Sequence, residues 1–230
     1  MDRLFNKGLI FTFLFFIFTI TVMDIQMYGQ QITFDSEVHM LALGDSYTIG
    51  ERVDINQRWP HQFIDELRKI GKDADLPDYI ATTGWTTRDL LTGIASSLNR
   101  EKDYNLVSIL IGVNNQYQGL DITIYEPELR NIIDQAIQIT GKDTTRVFMI
   151  SITDYAFTPF GKGDKNISCE IDSYNEISRR VALEYGILWV DITPISRRGI
   201  EEPALVAGDG LHPSGEQYRE WVEKIIHSLE

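Results

Sequence analysis

The sequence predicts a three-layer α/β/α protein, in which a parallel sheet of about five strands lies between two layers of helices. Short apolar runs typical of buried strands alternate along the chain with longer segments whose apolar residues recur every three or four positions, as in amphipathic helices. Strict alternation of strand and helix is typical of right-handed βαβ units. Such units place parallel strands side by side and cover both faces of the sheet.

The predicted elements follow one another with few interruptions. The first strand is expected at 38–43, where an apolar run breaks into Gly44, Asp45 and Ser46. Four further strands are expected at 79–82, 106–111, 147–152 and 187–192. Apolar stripes predict helices near 59–70, 90–98, 129–137, 171–181 and 218–226. Ser214 is expected to cap the last helix, and Gln217 three residues later completes the pattern of a capping box.

Composition limits the architecture and the partners. The 230 residues include 21 basic and 34 acidic side chains, giving a formal net charge of −13, and 43% of them are hydrophobic. The hydrophobic content is enough to form one large core. No repeat and no linker rich in Pro, Gly and Ser divides the chain, so residues 30–230 are expected to form a single domain. The negative charge makes nucleic acids and anionic membrane surfaces unsuitable partners for this body. The oligomeric state stays open.

The first residues, 1–29, predict a separate export segment. Arg3 and Lys7 precede an apolar run at 9–22, which matches the apolar core of a signal peptide and is shorter than the roughly twenty residues that span a bilayer. Cleavage is expected near Gln30, which gives a secreted or periplasmic protein. Because the residues before that position fit a cleavage site poorly, an uncleaved membrane anchor is the alternative.

The chain contains no motif for a cofactor or a metal ion. The sequence GKGDK at 161–165 lacks the hydroxyl residue and the flanking elements of a phosphate-binding loop, and it predicts a solvated turn. Neither the spacing of the histidines nor the single cysteine, Cys169, predicts a zinc site. Cys169 has no partner for an intrachain disulfide and is expected to be a small apolar filler. The four histidines are His39, His61, His212 and His227.

Four short motifs follow the predicted strands or precede the last helix. They are Gly-Asp-Ser at 44–46, a glycine at Gly84, Gly-Val-Asn at 112–114, and Asp209 followed three residues later by His212. Each motif alone is typical of an ordinary turn. Because loops at the carboxyl ends of parallel strands meet at one edge of a sheet, the first three motifs are expected close together.

The order and context of these four motifs resemble those of the SGNH hydrolases, also called GDSL esterases, over essentially the whole of 30–230. The resemblance implies a flavodoxin-like α/β fold and hydrolysis of carboxylic esters without a cofactor. It implies Ser46 as nucleophile, His212 as base and Asp209 as the carboxylate that orients the base. The implied oxyanion hole consists of the backbone N–H groups of Ser46 and Gly84 and the side-chain amide of Asn114.

These residue types suit acyl transfer. A serine hydroxyl attacks an ester once a base removes its proton, and a carboxylate holds the imidazole in the required tautomer. Two positions depart from the usual family motifs, because Tyr47 replaces the leucine of GDSL and Asn115 replaces the aspartate of GxND. Neither departure removes a proton carrier or an oxyanion donor. Thr48 occupies the position of the second glycine in the G-x-S-x-G motif, which argues against an ordinary lipase fold.

The substrate is less well defined by the sequence. The aromatic loop at 153–161, together with Trp85 and Tyr117, is a candidate wall for an acyl pocket, and a loop folded onto the surface by its own aromatic residues is the alternative. The acidic exported chain favours small acyl esters or carbohydrate O-acetyl esters. Alternatives are a lysophospholipase or thioesterase that acts on lipid acyl chains, and a catalytically inactive module that binds a glycan or lipid.

Overall fold

The structure of the protein is a computed structural model, and it describes residue 32 and residues 34–229. The predicted export segment, 1–29, lies outside the described residues and stays a prediction. Among the helices that the structure does describe, none is both long enough and apolar enough to cross a membrane.

The centre of the described chain is a sheet of five parallel strands. In chain order the strands are β1 (Glu37–Val38), β2 (Met40–Gly44), β3 (Asp73–Ala74), β4 (Asp78–Ala81), β5 (Leu106–Leu110), β6 (Val147–Ile150) and β7 (Leu188–Val190). The central sheet has the order β4-β2-β5-β6-β7, and each neighbouring pair is parallel. This order is that of flavodoxin-like folds, and it confirms the predicted fold class.

Helices cover both faces of this sheet. In chain order they are α1 (Ser46–Ile49), α2 (Trp59–Lys69), α3 (Thr87–Ser97), α4 (Val113–Tyr117), α5 (Tyr125–Ile139), α6 (Lys165–Tyr185), α7 (Thr193–Ser196) and α8 (Gly215–His227). α2 packs against α8, whereas α5 packs against α3 and α6. The two groups form the two layers, because right-handed crossovers that run in opposite directions along a sheet place their helices on opposite faces.

The direction of the strand order changes at β2. The first crossover leads from β2 to β4 on one side, and the next returns past β2 to β5 on the other. At such a switch point the loops that leave the carboxyl ends of the strands diverge and open a crevice. Gly44 at the end of β2 pairs with Leu110 at the end of β5, so the crevice opens directly beyond these two residues.

The predicted first strand is divided at His39. Residues before it form β1, which pairs with β3 outside the central sheet. The backbone N–H of His39 donates to Oδ1 of Asn105 at 2.8 Å, and its ring Nδ1 lies 2.8 Å from Oδ2 of Asp75. These polar contacts hold His39 between the two strands. The sequence did not reveal the β1–β3 pair, because strands of two residues have no recognisable periodicity.

One prediction about a single side chain is wrong, and another is confirmed only in part. Cys169 is exposed on α6 and does not fill the core. Ser214 does cap α8, since its hydroxyl accepts the backbone N–H of Gln217 at 3.2 Å. The reciprocal bond of a capping box is replaced, because the Gln217 amide donates to the carbonyl of Leu205 at 3.0 Å and the Ser214 N–H donates to that same carbonyl at 2.9 Å.

Candidate active site

Ser46 is the first residue of α1 and follows β2 after a sharp turn. Gly44 permits this turn, because a Cβ at that position would lie only 2.4 Å from the carbonyl oxygen of Leu110. The Asp45 side chain caps α1 by accepting the backbone N–H of Tyr47 at 2.9 Å. Ser46 is only 3% exposed. The serine is therefore fixed at the crevice by the backbone on both sides of it.

Asp209 and His212 form one unit at the turn before α8. Oδ2 of Asp209 lies 2.6 Å from Nδ1 of His212, while its Oδ1 accepts the backbone N–H groups of Leu211 and His212, both at 3.0 Å. The carbonyl of His212 accepts the N–H of Ala207 at 2.7 Å, which closes the turn. The three-residue spacing thus lets one carboxylate hold both the backbone and the imidazole of the same loop.

The imidazole connects this turn to the serine. Nε2 of His212 lies 3.1 Å from Oγ of Ser46, and His212 is 8% exposed. Partial burial raises the pKa of Asp209. Hydrogen bonds from the His212 ring and from the backbone N–H groups of Leu211 and His212 outweigh this effect, so the pKa of Asp209 lies below its ordinary value. The carboxylate therefore stays ionised at neutral pH. An ionised carboxylate, an imidazole and a hydroxyl lie in series.

Gly84 and Asn114 lie beside Ser46 in the same cleft. The backbone of Gly84 has a φ of +83°, which favours glycine, and a Cβ there would meet no described atom within 4 Å. The loop of Gly84 is tied to α4, because Gln118 donates to the Gly84 carbonyl and Asn114 donates to the Trp85 carbonyl, both at 3.0 Å. The three predicted oxyanion residues are thus brought together.

The side-chain nitrogen of Asn114 has two acceptors within hydrogen-bonding distance. Besides the Trp85 carbonyl at 3.0 Å, Oδ2 of Asp45 lies 3.3 Å away. The second contact is long for a hydrogen bond to a carboxylate, so it is the weaker of the two. The neighbouring Asn115 is buried and does not line the cleft. Its Oδ1 accepts the backbone N–H of Thr87 at 3.0 Å, and its Nδ2 donates to the Thr87 hydroxyl at 2.7 Å.

Asp45 is a fully buried carboxyl group beside the nucleophile. Burial raises its pKa to about 7, and the hydrogen bonds from the Tyr47 N–H and the Asn114 amide offset only part of that effect. In the unfolded chain the same group ionises near 3.8. Between these two values the folded state binds the proton more strongly, so the stability that this group contributes falls as the pH rises from about 4 to about 7.

We expect Asp45→Asn to test this buried charge. The asparagine has no proton to lose, so the variant should not lose stability as the pH rises from about 4 to about 7. The difference in the free energy of unfolding, variant minus wild type, should therefore increase over this range by at most roughly 4 kcal/mol. Urea unfolding of both proteins at pH 4 to 8 measures the difference. A difference that does not change with pH would contradict the raised pKa of Asp45.

The cleft around Ser46 is open to solvent, has a volume of about 230 Å³ and has mostly apolar walls. Its lining comprises Ser46, Tyr47, Thr83, Gly84, Val113, Asn114, Tyr117, Tyr155, Phe160, Leu211 and His212. Tyr155 and Phe160 show that the predicted aromatic loop borders the cleft. Trp85 does not line it, because its ring packs against Gly93, where a Cβ would lie 2.4 Å from the indole. Val113 and Leu211 were missed, and their only sequence signal is adjacency to Asn114 and His212.

Two of the other histidines have contacts elsewhere in the fold. His39 bonds to Asp75, and His61 on α2 stacks on Tyr79 with Nδ1 2.7 Å from the phenol oxygen. Burial, followed by the nearby Arg58 guanidinium, lowers the pKa of His61. Within the described residues no three His, Cys, Asp or Glu side chains are grouped so that they could hold a metal ion.

A hydroxyl, an imidazole and a carboxylate in this series have the arrangement that serine hydrolases use, and they lie at the switch point of the parallel sheet. Comparison of the sequence with family models identifies the family. Residues 42–220 match the model of the GDSL-like lipase/acylhydrolase family, and the chain belongs to that family. As a member of that family the protein is a carboxylic ester hydrolase of the SGNH type, and the family prediction is confirmed.

Individual relatives are distant. An arylesterase of Vibrio mimicus is 24% identical over 187 residues, which cover 81% of this chain and 85% of that protein. The structure of TesA superposes with a TM-score of 0.66 at 18% identity and covers 84% of this chain and 98% of that one. The structure of the acetylxylan esterase Axe2 of Geobacillus stearothermophilus superposes with a TM-score of 0.63 at 18% identity and covers 86% of this chain and 96% of that one. At these identities the two structures support the fold alone.

Proposed function

We propose that the protein is a serine esterase that hydrolyses short-chain carboxylic esters through Ser46, His212 and Asp209. The observation that carries the proposal is the series of contacts from Asp209 to His212 at 2.6 Å and from His212 to Ser46 at 3.1 Å. Both distances are within the reach of direct proton transfer.

The reaction follows from this arrangement. Nε2 of His212 accepts the proton of Ser46 as its Oγ attacks the ester carbonyl, and Asp209 stabilises the resulting imidazolium. The same proton then passes to the leaving alcohol oxygen, and the acyl group stays on Ser46. Water, deprotonated by His212, attacks the acyl carbonyl and releases the carboxylic acid, which restores the serine hydroxyl.

The oxyanion would be bound by the N–H groups of Ser46 and Gly84 and by the amide of Asn114. All three residues line one cleft. The Asn114 amide contacts Oδ2 of Asp45 at 3.3 Å and the Trp85 carbonyl at 3.0 Å. Because the contact with Asp45 is the weaker one, the N–H that points to Asp45 is the one that an oxyanion would accept. Donors that are fixed before the reaction stabilise the transition-state charge without reorganising.

The size of the cleft favours short acyl groups over lipid chains. The cleft has a volume of about 230 Å³ and opens to solvent beside the exposed Tyr117 and Phe160. A palmitoyl chain would extend beyond it into solvent, which argues against the lysophospholipase and long-chain thioesterase alternatives. The intact series from Asp209 to Ser46 argues against a module that only binds. The similarity to an arylesterase is also consistent with an esterase of this kind.

Hydrolysis of p-nitrophenyl esters of increasing chain length tests this proposal. We expect kcat/KM to be highest for acetate or butyrate and at least about 100-fold lower for palmitate, because a palmitoyl chain extends beyond the cleft and is held less well in the oriented approach to Ser46. Acetylated xylan and lysophosphatidylcholine are assayed in parallel. Preference for palmitate or lysophosphatidylcholine would contradict the short-chain assignment, and the absence of hydrolysis of every ester would favour the binding module.

A further inference from the structure

The side chain of Tyr47 packs against the imidazole of His212. We propose that Tyr47 is a positioning residue whose aromatic ring stabilises the positive charge that His212 acquires in the transition state. This inference rests on the proposed function and deepens it, because Tyr47 acts through His212 and not on the ester itself. The ring would add to the series of Asp209, His212 and Ser46 and would not replace any member of it.

The rings of Tyr47 and His212 lie close together. Their centroids are 5.1 Å apart, and their planes are tilted by 49°. A cation within about 6 Å of the centre of an aromatic ring is attracted by the negative charge of its π-face. Both nitrogens of the imidazole have other partners, because Nδ1 contacts Asp209 and Nε2 contacts Ser46. Tyr47 is thus a third neighbour of the imidazole and leaves the two contacts of the reaction in place.

Tyr47 is held firmly on α1. Its backbone N–H donates to Oδ1 of Asp45 at 2.9 Å, and its carbonyl accepts the hydroxyl of Tyr218 at 3.1 Å. Tyr218 belongs to α8, the helix that follows the loop of His212, so this bond joins the two segments whose rings are in contact. Only 4% of Tyr47 is exposed. A group with a fixed position stabilises developing charge without reorganising.

The surroundings of His212 compensate a positive charge only in part. The residue is largely buried beside a cleft with mostly apolar walls, so solvent stabilises a charge there poorly. Asp209 provides a negative charge, but its Oδ2 also lies 3.9 Å from Nε of Arg52, whose positive charge opposes that of an imidazolium. The Arg52 side chain is 64% exposed, so solvent weakens this opposition without removing it. An aromatic ring at 5.1 Å therefore acts where the charge needs stabilisation.

The phenol of Tyr47 stays neutral at the pH at which esterases of this kind are assayed. Burial raises the pKa of its hydroxyl well above the ordinary value, so the hydroxyl does not ionise near neutral pH. Any electrostatic effect on His212 must then come from the ring and not from a phenolate. Replacement by phenylalanine keeps the ring and is expected to preserve the effect.

Ring variants of Tyr47 test the inference. Tyr47 occupies the position of the leucine in the GDSL motif, so Tyr47→Leu restores the family residue and removes the ring. We expect it to lower kcat for p-nitrophenyl acetate by about 10-fold and to change KM by less than about 2-fold, because the imidazolium forms only in the transition state. Tyr47→Phe should lower kcat by less than about 2-fold. The same factors are expected for the butyrate ester, since the charge on His212 does not depend on the acyl group.

Fluorinated phenylalanines at position 47 separate charge from packing. Each fluorine withdraws electrons from the π-face, so kcat should fall stepwise from phenylalanine to 3,5-difluoro- and 3,4,5-trifluorophenylalanine and approach that of Tyr47→Leu. Phe63 provides a matched control, because its ring lies 5.7 Å from that of Phe148 with a tilt of 51°, nearly the same geometry. Neither of these residues lines the cleft. The same fluorinated series at Phe63 should therefore leave kcat within about 2-fold.

Three results would overturn the inference. Equal kcat throughout the fluorinated series at position 47 would show that packing alone explains Tyr47→Leu. A loss in Tyr47→Phe as large as that in Tyr47→Leu would make the hydroxyl the active group, and a loss that differs between acetate and butyrate would make Tyr47 a wall of the acyl pocket. If the wild type hydrolyses both esters and any of these results is found, the proposed function stands without the role of Tyr47. If the wild type hydrolyses neither ester, the proposed function fails as well.

Discussion

Loss of kcat by roughly 10⁵- to 10⁶-fold is expected for Ser46→Ala and for His212→Ala, because each variant removes a group without which the hydroxyl cannot be activated. The double variant should be scarcely worse than either single one, since the two residues act as a unit. Steady-state hydrolysis of p-nitrophenyl acetate measures all three variants. Asp209→Ala should retain more activity, with a loss of roughly 10⁴-fold, because the carboxylate orients the imidazole and does not itself move the proton.

The folded state of these variants must be checked by circular dichroism and thermal unfolding. His61→Ala serves as a matched control, because His61 is also a largely buried histidine with a hydrogen-bonded ring, but its ring bonds to Tyr79 of β4 and neither residue lines the cleft. It should retain kcat within about 3-fold. Wild-type activity in His212→Ala would show that another base serves Ser46, and an inactive but folded Asp209→Ala would show that the carboxylate does more than orient the ring.

Replacement of Asn114 by alanine should lower kcat by roughly 10²- to 10³-fold with a much smaller change in KM. The reason is that an oxyanion donor acts on charge that exists only in the transition state. The exposed Asn131 on α5, whose Oδ1 accepts from Gln135 in its own helix, provides the control Asn131→Ala, for which no change is expected. An effect of Asn114→Ala confined to KM would make Asn114 a substrate-binding residue instead.

The sequence predicted the sheet and its carboxyl edge well, because buried parallel strands and amphipathic helices have clear periodicities. The motifs around Ser46, Gly84 and Asn114 could be placed together for the same reason, since each follows a strand of that sheet. The 2.6 Å contact between Asp209 and His212 could be anticipated from their spacing and from the family resemblance. Their link to Ser46 depends on how the last loop folds back across the sheet.

Other features depend on tertiary contacts that have no local pattern. Trp85 faces Gly93 because that glycine leaves room for the indole, and nothing in the local sequence indicates this orientation. Cys169 lies outside the apolar stripe of α6, and a lone small residue does not show on which side of that stripe it falls. The raised pKa of Asp45 follows from complete burial, which the turn-forming sequence around it does not suggest.

The central claim is that Ser46 is a nucleophile activated by His212. Mass spectrometry of the peptide that contains Ser46, after reaction with a fluorophosphonate, tests this claim without assuming a natural substrate. We predict a single covalent adduct on Ser46 in the wild type, no adduct in Ser46→Ala, and an adduct that forms at least about 100-fold more slowly in folded His212→Ala. Labelling of another residue, or equal labelling rates in the wild type and His212→Ala, would contradict the claim.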